Sequence, residues 1–201
     1  MGNSASTGTG GPDSAFEESD AGRRILLISD NLDKPELLVQ AAADSVIVVP
    51  MKYDSWTLDE LMGAVISRAG QPAKQFASVG ILDHGEPDEL CLLREVGGGI
   101  LGFREIIGNE IIEDFFRFLA SYVMAPPPGT HRMCPEYRID LMACSLADQL
   151  GTELIDHLEG ILAVNVWASI DDSSPAADVK WSVASEPDTK AISDWYFDED
   201  Y

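Results

Sequence analysis

The chain has 201 residues, of which 45% are hydrophobic and 24% charged, a composition that suits one globular domain with a real apolar core. Thirty-five acidic residues against thirteen basic ones give a net charge of −22. Because a surface this acidic repels phosphate backbones, we expect no nucleic-acid partner.

The sequence lacks export and membrane-spanning signals. No stretch approaches 18 consecutive apolar residues, and the amino terminus lacks the charged-then-apolar order of a secretory signal. We therefore expect a cytoplasmic protein. Its cysteines, Cys91, Cys134 and Cys144, have neither an even count nor zinc-type CxxC spacing, which predicts reduced thiols. The three scattered histidines add no metal-ligand pattern, so no cofactor is expected.

Residues 1–22 are rich in Gly, Ser and Thr and carry four acids, which predicts a disordered leader. The leader opens with Met-Gly-Asn-Ser-Ala-Ser, which matches the myristoylation pattern with Gly2 as the acylated residue. The alternative is a flexible tail in which Met-Gly occurs by chance. If Gly2 is acylated, the single acyl chain predicts weak, reversible contact with the periphery of a membrane, because no basic cluster or nearby cysteine adds a second anchor.

Residues 23–185 alternate between apolar strands and amphipathic helices. In chain order the pattern predicts strand Arg24–Ser29, helix Pro35–Ala43, strand Ser45–Val49, a helix with N-cap Thr57 and Glu60 three residues on, strand Phe76–Leu82, a hairpin or edge strand at Leu90–Leu93, a Gly97-Gly98-Gly99 turn, helix Asn109–Met124, strand Arg138–Met142, helix Ala147–Leu158, strand Leu162–Ser169 and a sixth strand at Val179–Ala184. This alternation predicts an α/β domain whose mostly parallel sheet, of about six strands, is covered on both faces.

Residues 186–201 form an acidic tail that contains Trp195, Tyr196 and Phe197. Three adjacent aromatic residues usually dock somewhere. One interpretation is that the tail packs back onto its own domain, and the other is that it binds a protein partner.

Two motifs at the predicted carboxyl ends of strands carry residues suited to nucleophilic catalysis. His84 and Gly85 follow the third strand and Cys144 follows the fourth. In open α/β sheets this edge binds ligands, so the thiol of Cys144 and the imidazole of His84 form a candidate nucleophile and base. Gly85 leaves room for a substrate carbonyl, and its amide with that of Cys144 could stabilise an oxyanion. The alternative is a surface histidine and a buried core cysteine.

The order of these motifs resembles the caspase-like cysteine peptidases, the group that includes gingipains, legumains, separases and metacaspases. The resemblance is closer to the caspase-like domain of unknown function found near the amino termini of large bacterial surface and adhesin-like proteins. It spans about residues 24–184. The motifs that carry it are Asp30 after the opening strand, Val79–Gly85, Ile139–Cys144, Gly151 in the following helix, Val164–Ser169 and Lys180–Val183.

The resemblance implies a three-layer αβα sandwich and hydrolysis of a peptide or protein substrate. Cys144 would be the nucleophile, His84 the general base, and Gly85 part of the oxyanion site. The chain departs from the family's small residues after His-Gly and near the last turn, where it carries acids. Negative charge disfavours acidic P1 side chains, so Asp83, Asp171 and Asp172 are candidate pocket acids for a basic or neutral P1 residue. Some caspase relatives are calcium-activated, and Asp171 and Asp172 are candidate Ca²⁺ ligands, although no spaced calcium loop is present.

Two other functions fit the same sequence. A catalytically inactive caspase-like domain could act as an acidic scaffold within a larger assembly, attached through its leader or aromatic tail. A domain that keeps the pair for redox sensing would need Cys144 exposed, with its thiol pKa depressed.

Overall fold

A computed structural model describes residues 22–86, 89–125, 136–143, 151–169 and 192–198. The strands are β1 (Arg24–Ser29), β2 (Val46–Met51), β3 (Ser78–Leu82), β4 (Gly85–Glu86), β5 (Glu89–Cys91), β6 (Ile100–Gly102), β7 (Arg138–Met142) and β8 (Asn165–Ala168). The helices are α1 (Pro35–Ala41), α2 (Leu58–Ala69), α3 (Phe103–Ile106), α4 (Glu110–Ala120) and α5 (Gly151–Leu162).

Five of the strands form a parallel sheet in the order β2-β1-β3-β7-β8. Ile28 of β1 pairs with Leu82 of β3, which in turn pairs with Met142 of β7, so these strands end at a common edge. The predicted α/β class and mostly parallel sheet are confirmed. The chain leaves β1 towards β2 on one side and leaves β3 towards β7 on the other. The topological switch point therefore lies between β1 and β3.

The larger core lies between one face of the sheet and helices α2, α4 and α5. Alternate strand residues point into it, because successive side chains of a strand face opposite sides. The buried set includes Ile25, Leu27, Val49, Val79, Ile81, Ile139, Leu141 and Val166 from the sheet, and Leu61, Val65, Phe115, Phe116, Leu119, Leu154 and Leu158 from the helices. The heptad-like stripe on α4 makes that helix strongly amphipathic, which accounts for its position over the sheet.

The second face carries a smaller core, covered by α1 and by the segment Ile192–Asp198. Its buried members are Leu26, Ile28, Leu32, Leu82, Met142, Trp167, Ile192 and Tyr196. Leu38 of α1 and the aromatic rings of Trp195 and Phe197 pack against this cluster. Helical or aromatic cover on both faces is compatible with an αβα sandwich.

The start of α2 follows its sequence signal closely. Thr57 Oγ1 accepts a hydrogen bond from the Glu60 N–H at 3.2 Å, and Glu60 Oε2 accepts one from the Thr57 N–H at 2.8 Å. The predicted capping box is therefore present, and it satisfies two backbone donors that a helix start leaves without partners.

Helix α4 ends at Ala120, earlier than the predicted Met124. The apolar residues that follow pair with Phe76 instead of continuing the helix. The Phe76 N–H donates to Tyr122 O at 3.0 Å, and the Met124 N–H donates to Phe76 O at 2.9 Å. Apolar periodicity alone does not distinguish a helix that continues from an extended segment whose side chains are also buried.

The boundary between α5 and β8 also differs from the prediction. The helix continues to Leu162, four residues beyond the predicted end, and Ala163 then adopts a left-handed conformation with φ of 55°. The strand consequently starts at Asn165 and not at Leu162. The predicted sixth strand, Val179–Ala184, lies outside the described residues.

A small antiparallel sheet of β4, β5 and β6 follows β3, where the sequence predicted a hairpin or edge strand. Gly97–Gly99 forms a 3-10 turn before β6. Gly99 has a φ of 97°, and a Cβ there would overlap the Tyr53 hydroxyl. Glycine is required at this position for both reasons.

The segment Ile192–Asp198 packs against the domain, as one of the two interpretations of the aromatic tail predicts. The Ala43 N–H donates to Tyr196 O at 3.0 Å, and the Asp198 N–H donates to Ala41 O at 3.1 Å. Tyr196 is completely buried. Within the described ranges, no helix combines the length and the apolar character needed to cross a membrane.

Candidate active site

The loops after β1 and β3 meet at the switch point through one hydrogen bond. His84 Nε2 lies 3.1 Å from the backbone oxygen of Asn31. Because a carbonyl oxygen can only accept, Nε2 carries the proton of the neutral ring, and Nδ1 keeps its lone pair. The side chain of His84 is exposed. The ring is therefore oriented, and its basic nitrogen is Nδ1.

The loop that presents the Asn31 carbonyl is itself held in place by hydrogen bonds and an ion pair. Ser29 Oγ accepts a hydrogen bond from the Asn31 N–H at 3.2 Å. Asp30 Oδ1 accepts one from the Tyr53 N–H at 2.8 Å, and Asp30 Oδ2 lies 3.3 Å from Lys52 Nζ. These contacts join the ends of β1 and β2, so the acceptor for His84 has a fixed place.

Asp83 lies directly before His84 and is only 3% exposed. Its Oδ1 accepts a hydrogen bond from the His84 N–H at 2.7 Å. Burial raises the pKa of this carboxyl to about 6, an effect opposed by hydrogen bonds from Ser29, the His84 amide and Asn31 and by the charge of His84. Asp83, a candidate pocket acid, thus sits beneath the loop with its carboxyl turned away from solvent.

Gly85 packs directly against the end of β7. A Cβ at this position would lie 2.6 Å from the Ala143 Cβ and 2.7 Å from the Glu89 oxygen. Contacts this short exclude any side chain. Gly85 therefore has a packing role in addition to the oxyanion role expected from the sequence, and it brings the His84 loop against the residue that precedes Cys144.

Ser169, which follows β8, holds the same end of β7. Its hydroxyl donates to the Ala143 carbonyl and accepts from the Ala143 N–H, the latter at 3.1 Å. Ser169 is completely buried. Ala143 is thus fixed from both sides, by Gly85 and by Ser169.

The remaining candidate site residues, Cys144, Asp171, Asp172 and Gly2, lie outside the described residues. Within the described ranges, no group of three or more His, Cys, Asp or Glu side chains is arranged to hold a metal ion.

Sequence reasoning missed two groups that shape the site. The Asn31 carbonyl belongs to the backbone, which every residue type has, so the identity of residue 31 does not indicate this role. Ser169 ends a predicted strand, and no sequence pattern connects its hydroxyl with Ala143. The position of each at a strand's carboxyl end was the only available signal.

The fold and the site define a parallel α/β protein with an oriented, exposed histidine at the carboxyl edge of its sheet. Comparison with known proteins gives no matching family model, no similar curated protein and no similar solved structure. The chemistry therefore has to follow from the residues themselves.

Proposed function

We propose that this protein is a caspase-like cysteine peptidase that cleaves peptide bonds with His84 as general base and Cys144 as nucleophile. The observation that carries the proposal is the hydrogen bond from His84 Nε2 to the Asn31 carbonyl. A catalytic base needs a third group that fixes its tautomer and orientation, and this carbonyl provides one. It also stabilises the positive charge that the ring acquires when it takes a proton.

The neighbouring strand supports the same assignment. β3 and β7 are adjacent and parallel, with Leu82 opposite Met142. His84 and Cys144 each follow these paired residues by two positions. Gly85 contacts Ala143, which is joined to Cys144 by one peptide bond. His84 and Cys144 are thus each bonded to one member of a contacting pair, Gly85 and Ala143.

The proposed reaction has two stages. His84 Nδ1 takes the thiol proton of Cys144 while sulfur bonds to the scissile carbonyl carbon, and the oxyanion is stabilised by backbone amides that include that of Gly85. The imidazolium then gives its proton to the leaving amine as the C–N bond breaks, which leaves a thioester. Water, deprotonated by His84, attacks the thioester, and Cys144 departs with its proton restored.

The proposed preference for the P1 side chain of the substrate rests on charge. The net charge of −22 and the acids at Asp83, Asp171 and Asp172 favour a basic or neutral P1 side chain over an acidic one.

The test is covalent labelling of the purified protein with peptidyl acyloxymethyl ketones carrying Arg, Ala or Asp at P1, read by intact mass under reducing conditions. We expect one adduct on Cys144, formed fastest with Arg or Ala. His84→Ala should slow labelling by about 10²- to 10⁴-fold, the usual contribution of a general base. Cys144→Ser should not be labelled.

Two matched variants serve as controls. Cys91→Ser removes another thiol, and His157→Ala removes a histidine that pairs with Glu113 on the helical side of the sheet. Both should label like the wild type. No adduct on Cys144 with any probe would refute the peptidase and favour the inactive scaffold.

A further inference from the structure

The Asp83 carboxyl takes no part in the proton transfers of the proposed reaction, although it lies against the His84 loop. Its Oδ1 accepts the His84 N–H at 2.7 Å. Its Oδ2 is buried and accepts no hydrogen bond in the structure. A buried carboxylate with one unsatisfied oxygen is costly, and most such groups are fully hydrogen-bonded.

A purely structural role does not call for this residue type. The hydrogen bond from the His84 amide needs only a neutral acceptor, and asparagine or serine would supply one without a desolvated charge. What the carboxyl adds is a negative charge, placed next to the one histidine at the carboxyl edge of the described sheet. Its burial protects that charge from screening by solvent.

The groups around Asp83 can be named from each neighbouring element. Ser29 and Asn31 face it from the loop after β1, with the Asp30–Lys52 ion pair beyond them. Tyr53, on the loop after β2, and Cys91, on β5, are the other titratable groups nearby, since the pKa of Tyr53 is raised by burial, by Cys91 and by Asp83. His84 is the neighbouring group that becomes cationic during the proposed reaction.

We propose that Asp83 is a positioning residue for His84: its carboxylate holds the His84 backbone by the amide hydrogen bond, and its buried charge lies beside the ring that becomes cationic in the proposed reaction. This inference rests on the proposed function for its catalytic consequence. The charge of His84 in turn acts on Asp83, since it opposes the rise that burial gives the pKa of this carboxyl.

The first experiment follows protonation directly and needs no catalysis. NMR titration of Cys144→Ala protein records the Asp83 carboxyl carbon and the His84 ring nitrogens between pH 4.5 and 8. We expect the Asp83 signal to titrate near pH 6, as its pKa of about 6 requires. We also expect the His84 ring signals to shift in the same step. His84 ring signals that do not respond to the ionisation of Asp83 would overturn the proposal.

The second experiment measures the labelling rate of Cys144 against pH in Asp83→Asn. The amide keeps an oxygen that can accept the His84 N–H but removes the charge. We expect labelling at pH 7.5 to slow about tenfold, a modest part of a general base's contribution. The decline of the rate below pH 6 should become shallower, because the Asp83 step is gone. Unchanged rate and profile would overturn the proposal.

Asp54→Asn is the matched control, since Asp54 is an exposed acid on the Tyr53 loop that pairs with Arg94 at 2.8 Å. It should change the labelling rate less than twofold. If no variant is labelled while the His84 signals still follow Asp83, the peptidase assignment fails and the coupling stands. If Asp83→Asn does not fold, the NMR titration of the Cys144→Ala protein, which keeps Asp83, still decides.

Discussion

The Tyr196 hydroxyl donates a hydrogen bond to Asp140 Oδ2 at 2.6 Å, linking the carboxyl-terminal segment to the middle of β7. Asp140 Oδ1 also accepts from Arg138 Nε at 2.6 Å, and all three side chains are completely buried. The Tyr196 oxygen lies 2.7 Å from Ser78 Oγ, which accepts from Arg24 at 2.5 Å. The segment Ile192–Asp198 thus completes a buried polar network under the sheet.

Aromatic rings enclose the two guanidinium groups of this network. Arg138 lies 3.9 Å from the Trp167 ring centre and 5.2 Å from that of Trp195. Arg24 lies 4.5 Å from the Trp195 ring centre. Cation–π contacts of desolvated guanidinium groups offset part of the cost of burying them.

Tyr196→Phe should lower the free energy of unfolding by about 2 kcal/mol, because it removes a hydrogen bond to a charged, buried acceptor. Urea unfolding followed by circular dichroism measures this. Tyr122→Phe is the matched control, since the Tyr122 hydroxyl donates to a neutral acceptor, Gly70 O, at 2.7 Å. We expect a loss of about 1 kcal/mol there. Equal losses in the two variants would contradict a special role for the buried network.

Asp83→Asn should increase stability at neutral pH. The native carboxyl, with a pKa of about 6 against a usual 3.8, binds more protons than the unfolded chain between these values, so its contribution to stability falls as pH rises through that window. Well above pH 6 the full penalty is about 3 kcal/mol, from a pKa difference of about 2.2 at 1.36 kcal/mol for each unit. Urea unfolding should therefore separate variant from wild type more at pH 7.5 than at pH 4.5. A constant difference would refute the raised pKa.

Glu113 should contribute stability that is lost in acid. The hydrogen bond from the Gly108 N–H is the largest cause of the lowered pKa of Glu113, and hydrogen bonds with His157 and Arg117 lower it further. The native carboxyl holds its proton less tightly than the unfolded one, so its contribution is present above the usual pKa and disappears as pH falls through the lowered value.

The measurement is the melting temperature of Glu113→Gln at pH 7 and pH 3. Relative to wild type, the variant should be less stable at pH 7, with the gap narrowing at pH 3. Asp114→Asn, which removes only an exposed partner of Arg117, is the control and should leave the pH dependence unchanged.

Gly85→Ala should lower both stability and labelling. The added Cβ would meet Ala143 Cβ at 2.6 Å, which forces the His84 loop away from β7. Overpacking of this kind costs about 1–3 kcal/mol. Gly63→Ala is the control, because nothing lies within 4 Å of a Cβ in that position on α2. It should raise stability by about 1 kcal/mol through helix propensity. A fully active Gly85→Ala protein would argue against the close contact.

The sequence was most informative where one physical signal dominates. Strands β1 and β7 have the predicted bounds, since each is a short apolar run, and the Thr57 capping box is as expected. The third and fourth predicted strands of the sheet, which His84 and Cys144 follow in the sequence, are paired in the structure as β3 and β7. The Asn31 carbonyl and the Tyr196–Asp140 bond could not be predicted, because they join segments far apart in the chain through groups that carry no pattern.

The docking of Tyr196 has a consequence for biosynthesis. Arg24 lies in β1, the first described strand, and Arg138 in β7. The Trp195 ring packs on both guanidinium groups and the Tyr196 ring packs on that of Arg24, but these two aromatic residues are synthesised more than fifty residues after Arg138. A nascent chain that has completed all five parallel strands therefore holds Arg24 without its aromatic cover and Arg138 with the Trp167 ring alone. The second face of the domain closes only when the ribosome has released these last aromatic residues from its tunnel.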